Sequence, residues 1–258
     1  MQTTRCRILA EQIEVTFPSN ETVLRDFSFQ SEPGEFLSIV GPSGCGKSTV
    51  LRCLAKLQAI TAGSLTLSND AGVPPKAAYV FQDPTLLPWR SVTQNIMLPL
   101  ELNGAPLADR QAAASRVLSQ VGLDNQDAKK RPHMLSGGMQ MRVSLGRALV
   151  TEPDLLLLDE PFGAIDDISR QQLNEQLHGL WREQRWTAVL VTHNVAEAVF
   201  LSQRVLVMKG KPARIVGVID VPLRFPRTWK DCTTMEFTSL VSAVSRKLRS
   251  HENSVDDD

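Results

Sequence analysis

Two stretches carry residues that handle phosphate. "GPSGCGKST" runs from Gly41 to Thr49, and "LLLLDE" ends in Asp159 and Glu160. The first fits G-x-x-x-x-G-K-[ST], with the apolar run "FLSIV" before it and the helix-forming run "KSTVLRCLAKL" after it. Gly41, Gly44 and Gly46 let the backbone curl through Pro42, Ser43 and Cys45 so that the loop's N–H groups point inward at an anion. The helix that follows adds the positive end of its dipole. Lys47 brings a charge to the outer phosphates, and the Ser48 hydroxyl suits Mg²⁺. Cys45 stands beside Lys47 and a helix start, a setting that favours thiolate. A reactive thiol, blocked by bound nucleotide, is therefore expected there.

The four leucines before Asp159 describe a strand buried on both faces. Carboxylates at its carboxyl end emerge where open α/β sheets bind ligands. Asp159 is placed to reach the magnesium ion, directly or through water. Glu160, one residue on, points elsewhere and is suited to polarise an attacking water. Gln82 follows the strand-like "AAYVF", and its neutral amide can touch Mg²⁺ or that water without adding charge. His193 ends "TAVLVT" in the same way and can hydrogen-bond a terminal phosphate. A second anion device, "LSGGM", spans Leu135 to Met139. Ser136 opens a helix there, and Gly137 and Gly138 leave backbone N–H groups accessible. By itself that stretch reads more readily as an ordinary helix cap with flexible glycines than as a phosphate contact.

The elements that must position these residues alternate in type. "RILAEQIEVTF" and "VLRDFSFQ" read as strands around the turn Pro18-Ser19-Asn20. "FLSIV", "GSLTLS", "AAYVFQ", "DLLLLDE" and "TAVLVT" read as further strands, and "RVLVMKG" and "RIVGVIDV" as edge strands. From Asp83 to about Val150 the pattern turns helical. "ADRQAAASRVLSQVGL" stops at Gly122, and "GGMQMRVSLGRALV" is a second helix. A helix with Leu173, Leu177, Leu180 and Trp181 on one face lies between the last two buried strands. Near the carboxyl end, Phe237, Leu240, Val244 and Leu248 share helical spacing, and "HENSVDDD" reads as an acidic tail.

Composition narrows the class. The 258 residues carry 28 basic and 28 acidic side chains, a balance unlike that of nucleic-acid binders. No apolar run approaches the roughly 18 residues a membrane span needs. "MQTTRCRILAEQIEV" lacks the apolar centre of a secretory signal, so a cytosolic protein is expected. Cys6, Cys45, Cys53 and Cys232 form no C-x-x-C pair and are expected to be free thiols.

"GPSGCGKST", Gln82, "LSGGM", "LLLLDE", "AIDD" and His193 occur in the order seen in ATP-binding cassette (ABC) ATPases. The resemblance covers nearly the whole chain. It implies an α/β fold: a P-loop NTPase core with a mainly parallel central sheet, an N-terminal antiparallel β subdomain and an inserted helical subdomain. Residues 1–82 and 151–221 would form the ATP-binding core with its β subdomain, 83–150 the helical subdomain, and 222–258 a C-terminal helical extension and tail.

The resemblance also implies roles. Gly41 to Thr49 would bind ATP, with Phe17 stacking on adenine, although Tyr is commoner at that place. Ser48, Gln82 and Asp159 would hold Mg²⁺. Lys47, Gln82, Glu160 and His193 would serve hydrolysis. Leu135, Ser136, Gly137, Gly138 and Asp166 would contact ATP held by a second copy of the chain, so that two chains arranged head to tail make two whole sites. The signature ends in Met139 rather than Gln, the crossing loop has Ile165 rather than Leu, and Asn194 stands where Asp is common.

The stretch after Gln82 is apolar and turn-rich, through Pro84, Leu86, Leu87, Pro88 and Trp89. Such a surface marks a binding site. By resemblance it would meet an integral membrane permease served by an external solute-binding protein, at the cytoplasmic face of the inner membrane. "LLPW" with "DEPFGAID" resembles importer ATPases of the nitrate, sulfonate and taurine group, and related importers of thiamine's pyrimidine precursors. A soluble cassette ATPase of DNA repair or translation would carry a long coiled-coil insertion or a second cassette. A small-molecule kinase would have no use for "LSGGM".

Overall fold

The computed structural model describes residues 5–69 and 71–249. The amino-terminal part is β-rich, with β1 (Cys6–Thr16), β2 (Thr22–Ser31) and β3 (Phe36–Val40). Helix α1 (Lys47–Leu54) follows the glycine loop, then β4 (Ala62–Asn69) and β5 (Ala77–Val80). Three helices come next: α2 (Val92–Leu102), α3 (Leu107–Gln120) and α4 (Gly137–Leu149). Strand β6 (Leu155–Asp159), α5 (Asp167–Gln184), β7 (Thr187–Thr192) and α6 (Val195–Leu201) then alternate. The chain closes with β8 (Arg204–Gly210), β9 (Ala213–Asp220) and α7 (Met235–Arg249). The acidic "HENSVDDD" lies outside the described residues.

The strands form one sheet in the order β4-β1-β2-β9-β8-β3-β7-β6-β5. The centre, β8-β3-β7-β6-β5, is parallel throughout. β1 pairs antiparallel with β2 and β4, and β8 with β9. Strand β9 meets β2 in parallel at a single register pair, Leu24 with Ala213, and so forms the seam between the two halves. This corrects the expectation of edge strands: β8 and β9 are interior, and β4 and β5 are the edges. Strand β9 is partly exposed, and helix α7 lies over part of it, with the Lys247 side chain against Gly217.

Each central strand feeds two cores, because alternate side chains take opposite faces. Phe36, Val40, Leu156 and Leu158 pack on one side with α2 to α7. Leu37, Ile39, Leu155 and Leu157 pack on the other with α1, β1 and β2. That division explains why "FLSIV" and "LLLLD" are apolar without a break. The predicted face of α5 is as expected: Leu173, Leu177, Leu180 and Trp181 are buried. Phe237 and Val244 of α7 are buried too, with Leu240 and Leu248 partly so.

Helix α2 lies inside the stretch read as helical, Asp83 to about Val150, but had no bounds of its own there. Pro99 lies inside it, and a proline argues against a helix interior. A capping box starts it nevertheless: Ser91 accepts from the Gln94 N–H, and the Gln94 side chain accepts from the Ser91 N–H.

Phe36 sits at the junction of the larger core, fully buried, edge-on to Trp181 at 5.9 Å. Phe36→Ala is expected to lower unfolding free energy by about 3–5 kcal/mol in urea denaturation, with the slope of the transition unchanged.

Candidate active site

Parallel register decides where the functional side chains arrive. Val40 pairs with Thr192, Asp159 with Val191, and Val80 with Leu158. The residues that follow these strands therefore leave the sheet at one rim: Gly41 from β3, His193 from β7, Glu160 from β6 and Gln82 just beyond β5. Carboxyl ends of parallel strands are where such sheets bind ligands.

The glycine loop lies at that rim. Gly41 touches the backbone of β8 so closely that a side-chain carbon would sit 2.5 Å from the Met208 carbonyl oxygen. Gly46, at φ 100°, holds a left-handed backbone, and a side chain there would meet Val23 at 2.6 Å. Lys47 is 4% exposed and folds over its own loop, donating to the carbonyls of Gly41 at 3.0 Å and Pro42 at 2.9 Å. Pro42, Ser43 and Gly44 are exposed, Ser48 is half-buried and Thr49 is buried.

Glu160 joins two of the expected residues. One carboxylate oxygen lies 3.4 Å from Lys47 Nζ, and the other lies 2.8 Å from His193 Nδ1. The backbone of Glu160 is left-handed, with φ 44°, unusual for a side-chain-bearing residue. Its N–H donates to the Val191 carbonyl at 2.9 Å, which locks the turn. The kink takes the carboxylate off the line of β6 and into the cleft. Gly163 completes the group: a side-chain carbon there would lie 3.8 Å from both Gln82 Nε2 and His193 Cε1.

Asp159 does separate work. Ser48 Oγ donates to its Oδ1 at 2.7 Å, and Tyr79 donates to its Oδ2 at 2.8 Å. Burial, reinforced by the hydrogen bond to Asp159, raises the Tyr79 phenol's pKa. Magnesium takes hard oxygen donors, one or two carboxylates and substrate phosphates rather than an all-protein cage. A hydroxyl and a carboxylate within 2.7 Å of each other at the rim fit that demand. No cluster of three or more His, Cys, Asp or Glu that could hold a metal occurs among the described residues. Tyr79 went unread in the sequence. A tyrosine inside an apolar strand, and the only one in the chain, was the available signal.

Cys45 departs from the sequence reading. It is 4% exposed, against Gly41. Burial raises its pKa and outweighs the opposing pull of Lys47. The four cysteines are all free thiols.

Other expected residues are dispersed. Phe17 is half-buried in the hairpin between β1 and β2, whose residues Val23 and Leu24 pack against Gly46. Ser136 caps α4, accepting from the Met139 N–H, and both Ser136 and Gly137 are exposed. Leu135 is buried and anchors that turn. Gly138 faces Ser169 and Ile165, so the "LSGGM" turn adjoins Asp166, the exposed cap of α5. The Ser169 N–H hydrogen bond lowers the Asp166 carboxyl's pKa.

The apolar patch is narrower than expected. Leu86 and Leu87 are half-buried, and only Pro88 and Trp89, the latter 67% exposed, face outward. Asn95 explains this, since its amide accepts from the Leu87 N–H and donates to the Leu87 carbonyl. Arg147 of α4, also unread in the sequence, donates to the carbonyls of Pro84 and Thr85 at 2.8 and 2.9 Å.

The fold and this rim define a phosphate-loop nucleotide-hydrolysing protein. The chain belongs to the ABC transporter family, whose profile matches residues 24–163, and is an ABC ATPase. It is 46% identical over 211 residues to an aliphatic sulfonates import ATP-binding protein of Albidiferax ferrireducens, covering 81% of this chain and 73% of that one. The protein of the same description from Bacillus subtilis is 36% identical over 234 residues, 90% of this chain and 89% of the relative. Among solved structures, a dimeric ATP-binding cassette in a post-hydrolysis state bound to ADP and Pi superposes with a TM-score of 0.72 at 26% identity, over 84% of this chain and all of that one. No helix among the described residues is long and apolar enough to cross a membrane.

In the native chain, iodoacetamide is expected to label Cys45 at least about tenfold more slowly than in the denatured chain, with little change on adding ATP. Rapid labelling that ATP suppresses, followed by mass spectrometry of the Cys45 peptide, would restore the thiolate reading.

Proposed function

We propose that the chain is the ATP-hydrolysing subunit of a membrane importer, working as a head-to-tail pair of copies. The carrying observation is the linked trio Lys47, Glu160 and His193 at one rim, while Ser136, Gly137 and Asp166 present exposed donors and an acid elsewhere on the same chain. A site split in this way is completed by a second copy.

In this reading Gly41 to Thr49 cradle the phosphates of ATP, and Phe17 stacks on the adenine. Lys47 leaves its carbonyl partners for the β- and γ-phosphates. Ser48, Asp159 and Gln82 would hold Mg²⁺, which would neutralise charge on those phosphates. Glu160 accepts a proton from the water that attacks the γ-phosphorus in line. His193 steadies the γ-phosphate.

Leu135, Ser136, Gly137, Gly138 and Asp166 of one copy contact the ATP of the other. ATP thus makes contacts in the closed pair that it lacks in the open one, which is what a ligand-driven change requires. Hydrolysis removes the cross-link. The motion reaches the permease through Pro88 and Trp89, backed by Leu86 and Leu87, at the helical subdomain of residues 83–150. The ATP-binding core would be residues 1–82 and 151–221, with 222–258 as a C-terminal extension. The protein would sit peripherally on the cytoplasmic face of the membrane, with an external solute-binding protein delivering cargo. Relatives described as aliphatic sulfonates importers favour a small anion.

Glu160→Gln is expected to bind ATP, accumulate as a dimer in size-exclusion chromatography, and lose at least about a hundredfold in turnover. Near-normal turnover removes Glu160 from the role. Ser136→Arg is expected to abolish hydrolysis while a single chain still binds ATP in equilibrium titration. Loss of binding instead would place "LSGGM" on its own chain's nucleotide.

A further inference from the structure

The sequence "FPRTW", residues 225–229, has no part in the site described above. It is nonetheless among the most tightly held stretches of the chain. Arg227 is 3% exposed, and its guanidinium donates to five backbone carbonyls. Three belong to the end of α6 and the residue after it: Val199 at 2.9 Å, Phe200 at 2.9 Å and Ser202 at 2.7 Å. The others, Val221 at 3.3 Å and Leu223 at 3.0 Å, belong to the chain leaving β9. Carbonyls at a helix end are unsatisfied by the helix itself and carry its negative pole. A buried cation is well placed there.

The flanking aromatics grip the same two helices. Trp229 stacks flat on Phe200 of α6 at 4.9 Å, and its backbone N–H donates to the Glu175 carboxylate of α5 at 3.0 Å. Phe225 stacks on His178 at 5.0 Å and packs against Trp181 at 5.2 Å, both in α5. Residues 225–229 therefore hold the second half of α5 and the carboxyl end of α6. The amino ends of these helices carry the site. Asp166 caps α5, and Asn194, next to His193, caps α6. Helix α6 has only 7 residues, so a shift at its end passes to His193 within two turns. A second brace joins the helices nearer the rim: Asn174 of α5 donates to the buried Glu197 of α6, which Thr192 also bonds.

We propose that residues 225–229 are a positioning clamp for hydrolysis, with Arg227 as its centre. The clamp fixes α6 against α5 and so holds the His193 ring on Glu160; it rests on the role given above to His193. The clamp and α6 pack on one face of the sheet, whereas α1 packs on the other. The clamp therefore acts on turnover and leaves ATP binding alone. Arg227 is a positioning residue, since it touches neither the trio nor the phosphate loop.

The test is a double-mutant cycle in steady-state ATPase activity of the full chain, using Arg227→Met and His193→Ala. Arg227→Met is expected to lower kcat about tenfold, as a small misplacement of a reacting group does, with KM for ATP changed less than about threefold. With His193 already replaced, Arg227→Met is expected to change kcat less than about twofold, because the two act as one unit. Arg227→Lys, which keeps the charge and fewer donors, should recover part of the loss. An equal loss with and without His193, or a KM that rises in step with the fall in kcat, overturns the clamp alone. If His193→Ala leaves kcat unchanged, the role of His193 fails and takes the clamp with it. Thermal unfolding monitors folding of each variant. Should Arg227→Met not fold, Trp229→Leu enters the same cycle, removing the Phe200 stack and leaving the carbonyl bonds in place.

Discussion

The parallel register of β3, β7, β6 and β5 is the constraint on which the rest depends. Each strand is pinned to its neighbour by backbone bonds and by side chains buried on both faces, so none can slip by a residue without exchanging its two cores. A slip of β6 alone would move Glu160 along the rim and part it from Lys47 and His193. The 3.4 and 2.8 Å contacts among these three are thus properties of strand packing. They are refined only at the end by the left-handed turn at Glu160.

That origin explains what the sequence disclosed. An unbroken apolar run ending in a polar residue encodes both a buried strand and a side chain at its rim, so "FLSIV", "LLLLD" and "TAVLVT" gave strand and site together. Features set by distant parts of the chain stayed hidden. β8 and β9 read as edges, yet β8 lies beside β3 and β9 closes the seam to β2. The bounds of helix α2 were masked by Pro99, whose penalty the capping box at Ser91 and packing of Ile96 and Met97 offset. Cys45 was judged from its sequence neighbours, Lys47 and the helix start, whereas desolvation between Gly41 and the core decides its chemistry. Tyr79 and Arg147 act through partners 80 and about 60 residues away, which no local pattern encodes.

The two anion devices differ in their support. The glycine loop is held rigidly, with Gly41 against β8, Gly46 against β2, and Lys47 tied to its own carbonyls. The "LSGGM" turn has a buried Leu135 beneath and exposed Ser136 and Gly137 above, and its Gly138 faces the Ile165–Ser169 turn that carries Asp166. A presented surface of this kind suits a partner that arrives, while a closed cradle suits a ligand that stays.

Helices join these parts. Arg147 ties the far end of α4 to Pro84 and Thr85, so the turn bearing Ser136 and the loop bearing Trp89 share one rigid rod. Helices α5 and α6 behave alike, with Asp166 and His193 at their amino ends and aromatic or guanidinium contacts at their carboxyl ends. Each helix presents a polar group at its amino end and is tied to another segment at its carboxyl end. A helix held at its far end can move its tip only by moving the anchor too. The contacts at Pro84–Thr85 and at 225–229 therefore help to set where Ser136, Asp166 and His193 stand, as the strand register sets the rim.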